Sequence, residues 1–203
     1  AKNGVFAQEI VPVDVRGRGG RSKRVEHDEN LRPETTMETL SALPPLFGPQ
    51  GRVTAGNSSG LNDAGAAMVL TTGKVAKERG YPVLGELCGW SAVGVAPKEM
   101  ALGPVEATRR ALKRAKMTLA DIDRVELNDS FAAQWLAVEQ ELGLDRDIVN
   151  VNGGALALGH PMAATGTRLV LSALYELARS DRSTALCTLC VGGGQGVAVV
   201  LKR

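Results

Sequence analysis

The 203-residue chain is long enough to bury a substantial core, and its 44% hydrophobic content with both signs of charge excludes global disorder. A net charge of +2 and an aromatic fraction of 3% argue against a nucleic-acid partner, and no apolar run is long enough to cross a bilayer, so neither nucleic acid nor membrane is expected. Cys88, Cys187 and Cys190 are an odd number of cysteines with no secretory leader before them, which points to a reducing, cytoplasmic setting.

The opening, AKNGVFAQEIVPV, carries neither an initiator Met nor a secretory pattern and reads as extended chain inside a longer protein. The first sixty residues are dense in Gly, Pro and charge and are expected to be loops that cover another surface. Within them the basic run Arg16 to Arg24 (RGRGGRSKR) is expected to be a solvated surface turn, and His27, in VEHDEN, a surface residue. From Ala66 the pattern changes. Ala66 to Leu70 is a short apolar run, Lys74 to Arg79 predicts a helical turn ended by Gly80, and Val83 to Val95 predicts a long strand. Pro104 suits a first helical turn, and Ala107, Ala111 and Leu112 form an apolar stripe beside Arg109, Arg110, Lys113 and Arg114, as in a helix laid on a sheet. A strand over 124–127, a helix from about Phe131 to Leu142 closed by Gly143, and a short strand Ile148 to Val151 follow. The last elements are a helix Thr167 to Ala178 and strands Ala185 to Val191 and Val197 to Leu201. Parallel strands joined by helices and closed by a hairpin imply a layered α/β sheet.

Three segments lie at strand ends, where such sheets place their ligands: Asn128-Asp-Ser-Phe131, Gly153-Gly-Ala-Leu-Ala-Leu-Gly-His160-Pro, and Cys190-Val-Gly-Gly-Gly194. The glycines after Cys190 let the backbone bend and bring N–H groups against a ligand, so Cys190 is either a reactive thiol or a small buried hydrophobe at a strand end. His160, between a Gly-rich segment and Pro161, is held extended and suits a positioned acid, base or oxyanion donor, although a lone histidine is more often structural. Cys187 and Cys190 form a C-x-x-C pair, but along a strand they face opposite ways, which suits neither a redox couple nor zinc, and no metal site is expected. Neither glycine segment is a Walker or dinucleotide fingerprint.

In this order and spacing the three segments resemble the thiolase family, whose C-terminal half carries NEAF, G-G-x-x-x-x-G-H-P and C-x-G-G-G. The likeness runs through EIVPV, VTAGNSSGLNDAGAA and VGVAPKEM to the closing CVGGGQGVAVVL. It implies the layered αβαβα thiolase fold, with this chain supplying the C-terminal α/β half and part of a loop domain. Residues 1–61 would be the tail of the CoA-covering loop domain, 62–83 the segment closing the N-terminal half, and 84–203 the C-terminal domain. It also implies reversible Claisen condensation or CoA-dependent thiolysis of 3-ketoacyl-CoA, with acetoacetyl-CoA the expected substrate. Coenzyme A and acyl-CoA would enter as substrates, with no permanently bound cofactor. The nucleophilic cysteine would lie in the N-terminal half, a partner expected alongside a homodimer or tetramer, and this chain alone would be inactive.

By position, the resemblance makes Cys190 the base at the alpha carbon and His160 the group that activates the nucleophilic cysteine. Asn128 would hold a water in the first oxyanion hole and Gly192 would supply an N–H to the second. Arg32, Thr39, Leu43, Phe47, Ala55 and Ser59 would line the CoA path together with Ser130 and Phe131, and Met100 would face the acyl end. Two departures stand out. NEAF is here Asn128-Asp129-Ser130-Phe131, in which either changed residue could be a helix N-cap, and the turn after the His-Pro pair is the bulkier Met162 to Gly166. Rival readings are a longer-chain thiolase of beta-oxidation, a non-catalytic acyl-CoA or lipid binder, a decarboxylative ketoacyl synthase and a purely structural module. A non-catalytic binder would be marked by loss of Cys190 or His160, and neither is lost; the decarboxylative class uses two histidines around its nucleophile, whereas the base position here is Cys190; a structural module leaves the Gly-flanked Cys190 and His160 without a reason.

Overall fold

The computed structural model describes residues 1–17 and 19–203; Arg18, inside the basic run, lies outside the described residues. One four-stranded sheet organises the C-terminal part. It comprises β3 (Glu86–Gly94), β4 (Arg124–Leu127), β5 (Thr184–Val191) and β6 (Gln195–Lys202), following two short strands, β1 (Val13–Arg16) and β2 (Ser22–Val25), that pair elsewhere. The spatial order is β3-β6-β5-β4.

Alternation of side chains along these strands splits the core in two. Val125, Leu127, Leu186, Ala198 and Val200 pack on one face against Val105, Ala107, Ala111 and Leu112 of α3 (Gly103–Ala115) and Val138 of α4 (Ala132–Leu142). Ala185, Cys187 and Leu201 pack on the other against Leu169, Ala173, Leu174 and Leu177 of α6 (Met162–Arg179). Helices therefore cover both faces of the sheet. Two shorter helices precede α3, α1 (Met37–Ser41) and α2 (Gly73–Arg79), and α5 (Ala155–Leu158) precedes α6.

Glycine ends the helices where the sequence places it: Gly80 and Gly143 adopt left-handed φ of 64° and 65° after α2 and α4. Four expectations need correction. The sheet is mixed, because only β4 and β5 run parallel while the β5–β6 hairpin inserts β6 antiparallel between β5 and β3. Residues 148–151 form no strand. Instead Asn150, at φ 48°, imitates one: its amide donates to Val125 O at 2.8 Å, and its side chain accepts from Leu127 N at 2.9 Å and donates to Leu127 O at 2.8 Å. The last helix begins at Met162, five positions earlier than the apolar stripe indicated, since Pro161 needs no donor there and the Thr165 hydroxyl donates to its carbonyl at 3.0 Å. The opening is not extended either; residues 1–10 fold into turns around the buried Phe6, and strand β1 starts only at Val13. The described part of the basic run is exposed, as is the Ala66 to Leu70 run apart from the half-buried Met68, and that run forms no strand.

The sheet and α3 approach most closely at Gly196 and Gly103, where a β-carbon on either residue would overlap the backbone of the other's strand or helix start. Gly196→Ala is therefore expected to cost about 1–3 kcal/mol or more through overpacking. Urea midpoints check this, with Gly65→Ala, whose added carbon meets open space, as the neutral control.

Candidate active site

Parallel pairing sets Leu127 of β4 beside Thr188 of β5, and the next amide, Asn128 N, donates to Thr188 O at 3.0 Å. The residues leaving both strands, Asn128 to Phe131 and Cys190 to Gly194, thus emerge at one edge. Asp129 holds the third segment there. Its carboxylate accepts from Ala155 N at 2.5 Å and Leu156 N at 3.3 Å, capping α5, and Gly154 is needed because a β-carbon would strike that carboxylate. Burial pushes the Asp129 carboxyl up, while these amides pull it down. The N-cap of the NDSF segment is thus spent on a different helix from the one it precedes. Ser130 caps nothing, for the N-cap of α4 is Phe131, which makes no side-chain cap.

His160 follows Gly159, at φ 102°, and its amide donates to Gly60 O at 3.0 Å and Asn62 Oδ1 at 3.2 Å. The loop 57–62 also reaches the other segment, with Ser59 N donating to Ser130 O at 2.9 Å and Ser58 bridging Phe131. Asn62 and Thr165 are site residues that the sequence reading passed over. Asparagine within a Gly-rich loop and a threonine one turn after His-Pro were the available signals.

The polar contacts fix the chemistry of the imidazole. Thr165 is fully buried, and since its hydroxyl proton goes to Pro161 O, its oxygen accepts the Nδ1–H of His160 at 2.8 Å. Nε2 then carries the lone pair, and Asn128 presents Nδ2 to it at 3.5 Å. A second proton on that nitrogen goes to Ser130 Oγ at 2.8 Å, and Ser130 Oγ lies 3.7 Å from Cys190 Sγ. His160, Asn128, Ser130 and Cys190 are thereby joined in one chain. Asn128 Oδ1, inside a fully buried residue, has no partner and is free to accept from a water or ligand.

Burial, and then the positive charge of Arg168, hold His160 below the ordinary imidazole value, so it is neutral at physiological pH. Arg168 keeps that influence because burial pushes its neighbour Glu126, 3.5 Å away, up to about 8. Gly192 is exposed at the β5–β6 turn, with open space before its α-carbon, and Gly193 and Gly194 bend at φ 87° and 95°. Among the described residues no metal-binding cluster of His, Cys, Asp and Glu forms. All three cysteines are unpaired, and Cys187 and Cys190 face opposite ways as expected: Cys187 is buried on the α6 face with its thiol 3.5 Å from Leu169 O. No helix among the described residues is long and apolar enough to cross a membrane.

The other expected ligand positions have local duties. Arg32 donates to the carbonyls of Glu29, Asn30 and Leu31 at 3.3 Å each, and Thr39 completes a capping box with Thr36. Leu43 packs with Leu40 over Gly56, Ala55 opens a short 3-10 turn, Phe47 is exposed and Met100 is half-buried in the 3-10 stretch before α3. The chain brings Ser59, Ser130 and Phe131 to the site directly.

Family models for the thiolase C-terminal domain and the thiolase N-terminal domain match residues 81–203 and 1–74. The chain belongs to the thiolase family. It is 49% identical over 98% of its length to a beta-ketoadipyl-CoA thiolase of Pseudomonas knackmussii and 48% identical over 100% to an acetyl-CoA acetyltransferase of Pseudomonas aeruginosa, covering 50% and 51% of those proteins. The fold superposes on the crystal structure of the Bacillus anthracis acetyl-CoA acetyltransferase with a TM-score of 0.96 at 44% identity, covering 99% of this chain and 51% of that one. It superposes on human mitochondrial 3-ketoacyl-CoA thiolase in complex with CoA with a TM-score of 0.90 at 39% identity, covering 100% and 50%. This thiolase chain spans about half the length of the curated relatives it matches.

Two measurements check the imidazole. Nitrogen NMR is expected to show His160 as the Nδ1–H tautomer with a midpoint below 6.5, and Thr165→Val to lose that preference. Because the folded value is depressed, the stability His160 contributes is full above the ordinary imidazole value and falls as pH drops through the folded one.

Proposed function

We propose that the protein containing this chain catalyses reversible, CoA-dependent thiolysis of 3-ketoacyl-CoA, and that this chain supplies its acid–base and oxyanion groups. The observation that carries the reading is the buried chain from a neutral His160 through Asn128 and Ser130 to Cys190, with Asn128 Oδ1 left unpaired beside it.

In thiolysis, His160 Nε2 takes the proton of a nucleophilic cysteine, whose thiolate attacks the 3-keto carbon. The carbon–carbon bond then breaks toward the thioester, leaving an acyl-enzyme and an acetyl-CoA enolate that Cys190 protonates. A water on Asn128 Oδ1, with His160, holds one oxyanion, and the Gly192 N–H serves the other. The CoA thiol finally gives its proton to the Cys190 thiolate and takes the acyl group, and the enzyme cysteine leaves as a thiolate that recovers its proton from His160. That cysteine lies on another segment, since Cys187 is buried on the opposite face and Cys88 sits on edge strand β3 with its thiol near Glu86 O.

Residues 84–203 act as the C-terminal domain, 62–83 as the segment closing the N-terminal half, and 1–61 as part of the loop domain. Arg32, Thr39, Leu43, Phe47, Ala55 and Ser59 line the CoA path, and Met100 faces the acyl group. The family matches, one ending at residue 74 and the other starting at 81, support a division near the end of this closing segment. The three unpaired thiols support a reducing, cytoplasmic location, and a homo-oligomer containing the complementary half is the proposed assembly. Acetoacetyl-CoA is the proposed substrate. The bulkier turn after the His-Pro pair does not itself set this length, because Thr165 is turned to His160 and Met162 is 67% exposed. The beta-ketoadipyl-CoA thiolase relative favours a second reading, a short 3-oxo dicarboxylic thioester, and the ratio of kcat/KM for the two substrates decides between them.

Cys190→Ser tests the division of labour in a preparation containing both thiolase halves. A serine hydroxyl is a poor base near neutral pH, so carbon–carbon bond formation and cleavage should fall by at least about 100-fold while a trapped acyl-enzyme still forms. Equal loss of both half-reactions would contradict the assignment.

A further inference from the structure

Ser130 stands where the family motif carries alanine, and its hydroxyl is the link between the two halves of the site's polar chain. The residue is 7% exposed, its backbone is pinned by the bond from Ser59 N to its carbonyl, and its neighbour Asp129 is clamped to α5. Asn128 Nδ2 fills one acceptor lone pair of Ser130 Oγ at 2.8 Å, so that oxygen's own proton remains to be placed. Cys190 Sγ, 3.7 Å away and itself 7% exposed, is the acceptor the structure offers.

Resting on the proton-transfer role proposed for Cys190, we propose that Ser130 is a positioning residue whose hydroxyl donates to Cys190 Sγ and holds its thiolate form. A hydrogen bond to a charged sulfur in a buried site is stronger than one to a neutral thiol, so the hydroxyl favours ionisation and fixes the direction of the sulfur. Asn128 strengthens the effect from behind, because a hydroxyl that accepts a bond becomes a better donor. The same amide reaches His160 Nε2 with its second proton, so the base and the imidazole share one orienting group.

Other groups around Cys190 do not supply this donor. Just after β4 the Asp129 carboxylate is turned to Ala155 and Leu156, and β6 sets Gly196 and Gln195 against Cys190 and Val191. The turn after Cys190 carries only glycines, His160 keeps its Nδ1 proton on Thr165, and Glu126 and Arg168 pair with each other toward α6.

The test is the pH profile of Cys190 alkylation by iodoacetamide, read at that residue by fragment mass spectrometry, in protein containing both thiolase halves. Ser130→Ala, which restores the family's residue, is expected to raise the midpoint by about one unit, and Ser130→Thr to return it to the wild-type value. The readout needs no turnover, so it stands apart from the half-reactions of Cys190→Ser, whose failure would sink the functional reading and leave the midpoint shift intact. An unchanged midpoint in Ser130→Ala, a shift in Ser130→Thr as large as in Ser130→Ala, or no ionisation-dependent labelling of Cys190 would each overturn the proposal.

Discussion

The parallel pairing of β4 with β5 is the constraint from which the site follows. Parallel strands leave the sheet in the same direction, so Asn128 and Cys190, 62 positions apart in sequence by their numbers, arrive at one edge although the crossover between β4 and β5 carries α4, α5 and α6. The antiparallel β6 then has to return within a few residues of Cys190, and the glycines at 192–194 make that turn. Asp129 completes the arrangement, since by capping α5 it brings the chain before His160 against the end of β4. A sheet register thus becomes a chemical geometry.

Hydrogen-bond accounting does the rest. A buried amide and a half-buried imidazole can each be satisfied in more than one way, but here the choice is forced from one end. Thr165 commits its proton to Pro161, His160 must therefore donate from Nδ1, Asn128 must turn its nitrogen to Nε2, and its oxygen is left without a protein partner. Buried polar networks specify one arrangement when their members are tied to one another in this way, and Asn128 Oδ1 is the acceptor left for the O–H of a water.

Much of this was legible in the residues. Gly80 and Gly143 announced helix ends and Pro104 a helix start, and the segments of Cys190 and His160, singled out by their glycines, come together in the fold. The misreadings share a cause. Asn150 replaces a strand peptide with a side-chain amide, Asp129 caps a helix 26 positions away, and Thr165 orients a histidine from a stretch left before the expected helix start at Thr167. In each, a short polar side chain acts across the fold, whereas periodicity reports only local backbone preference. The mixed sheet was missed for a related reason: alternation predicts strands but carries no record of which neighbours they choose. The loop positions matched to the CoA path, such as Arg32 and Thr39, show only local bonds in the fold, so their expected role came from resemblance alone.

The central claim is that Asn128, His160 and Cys190 converge on one thioester. A crystal structure of this chain with its complementary half and bound acetyl-CoA tests it most directly. The account predicts a water on Asn128 Oδ1, the thioester oxygen between that water and His160 Nε2, and the acetyl methyl group against Cys190 Sγ. A thioester lying away from these atoms, or Asn128 Oδ1 paired with protein in the complex, would contradict it.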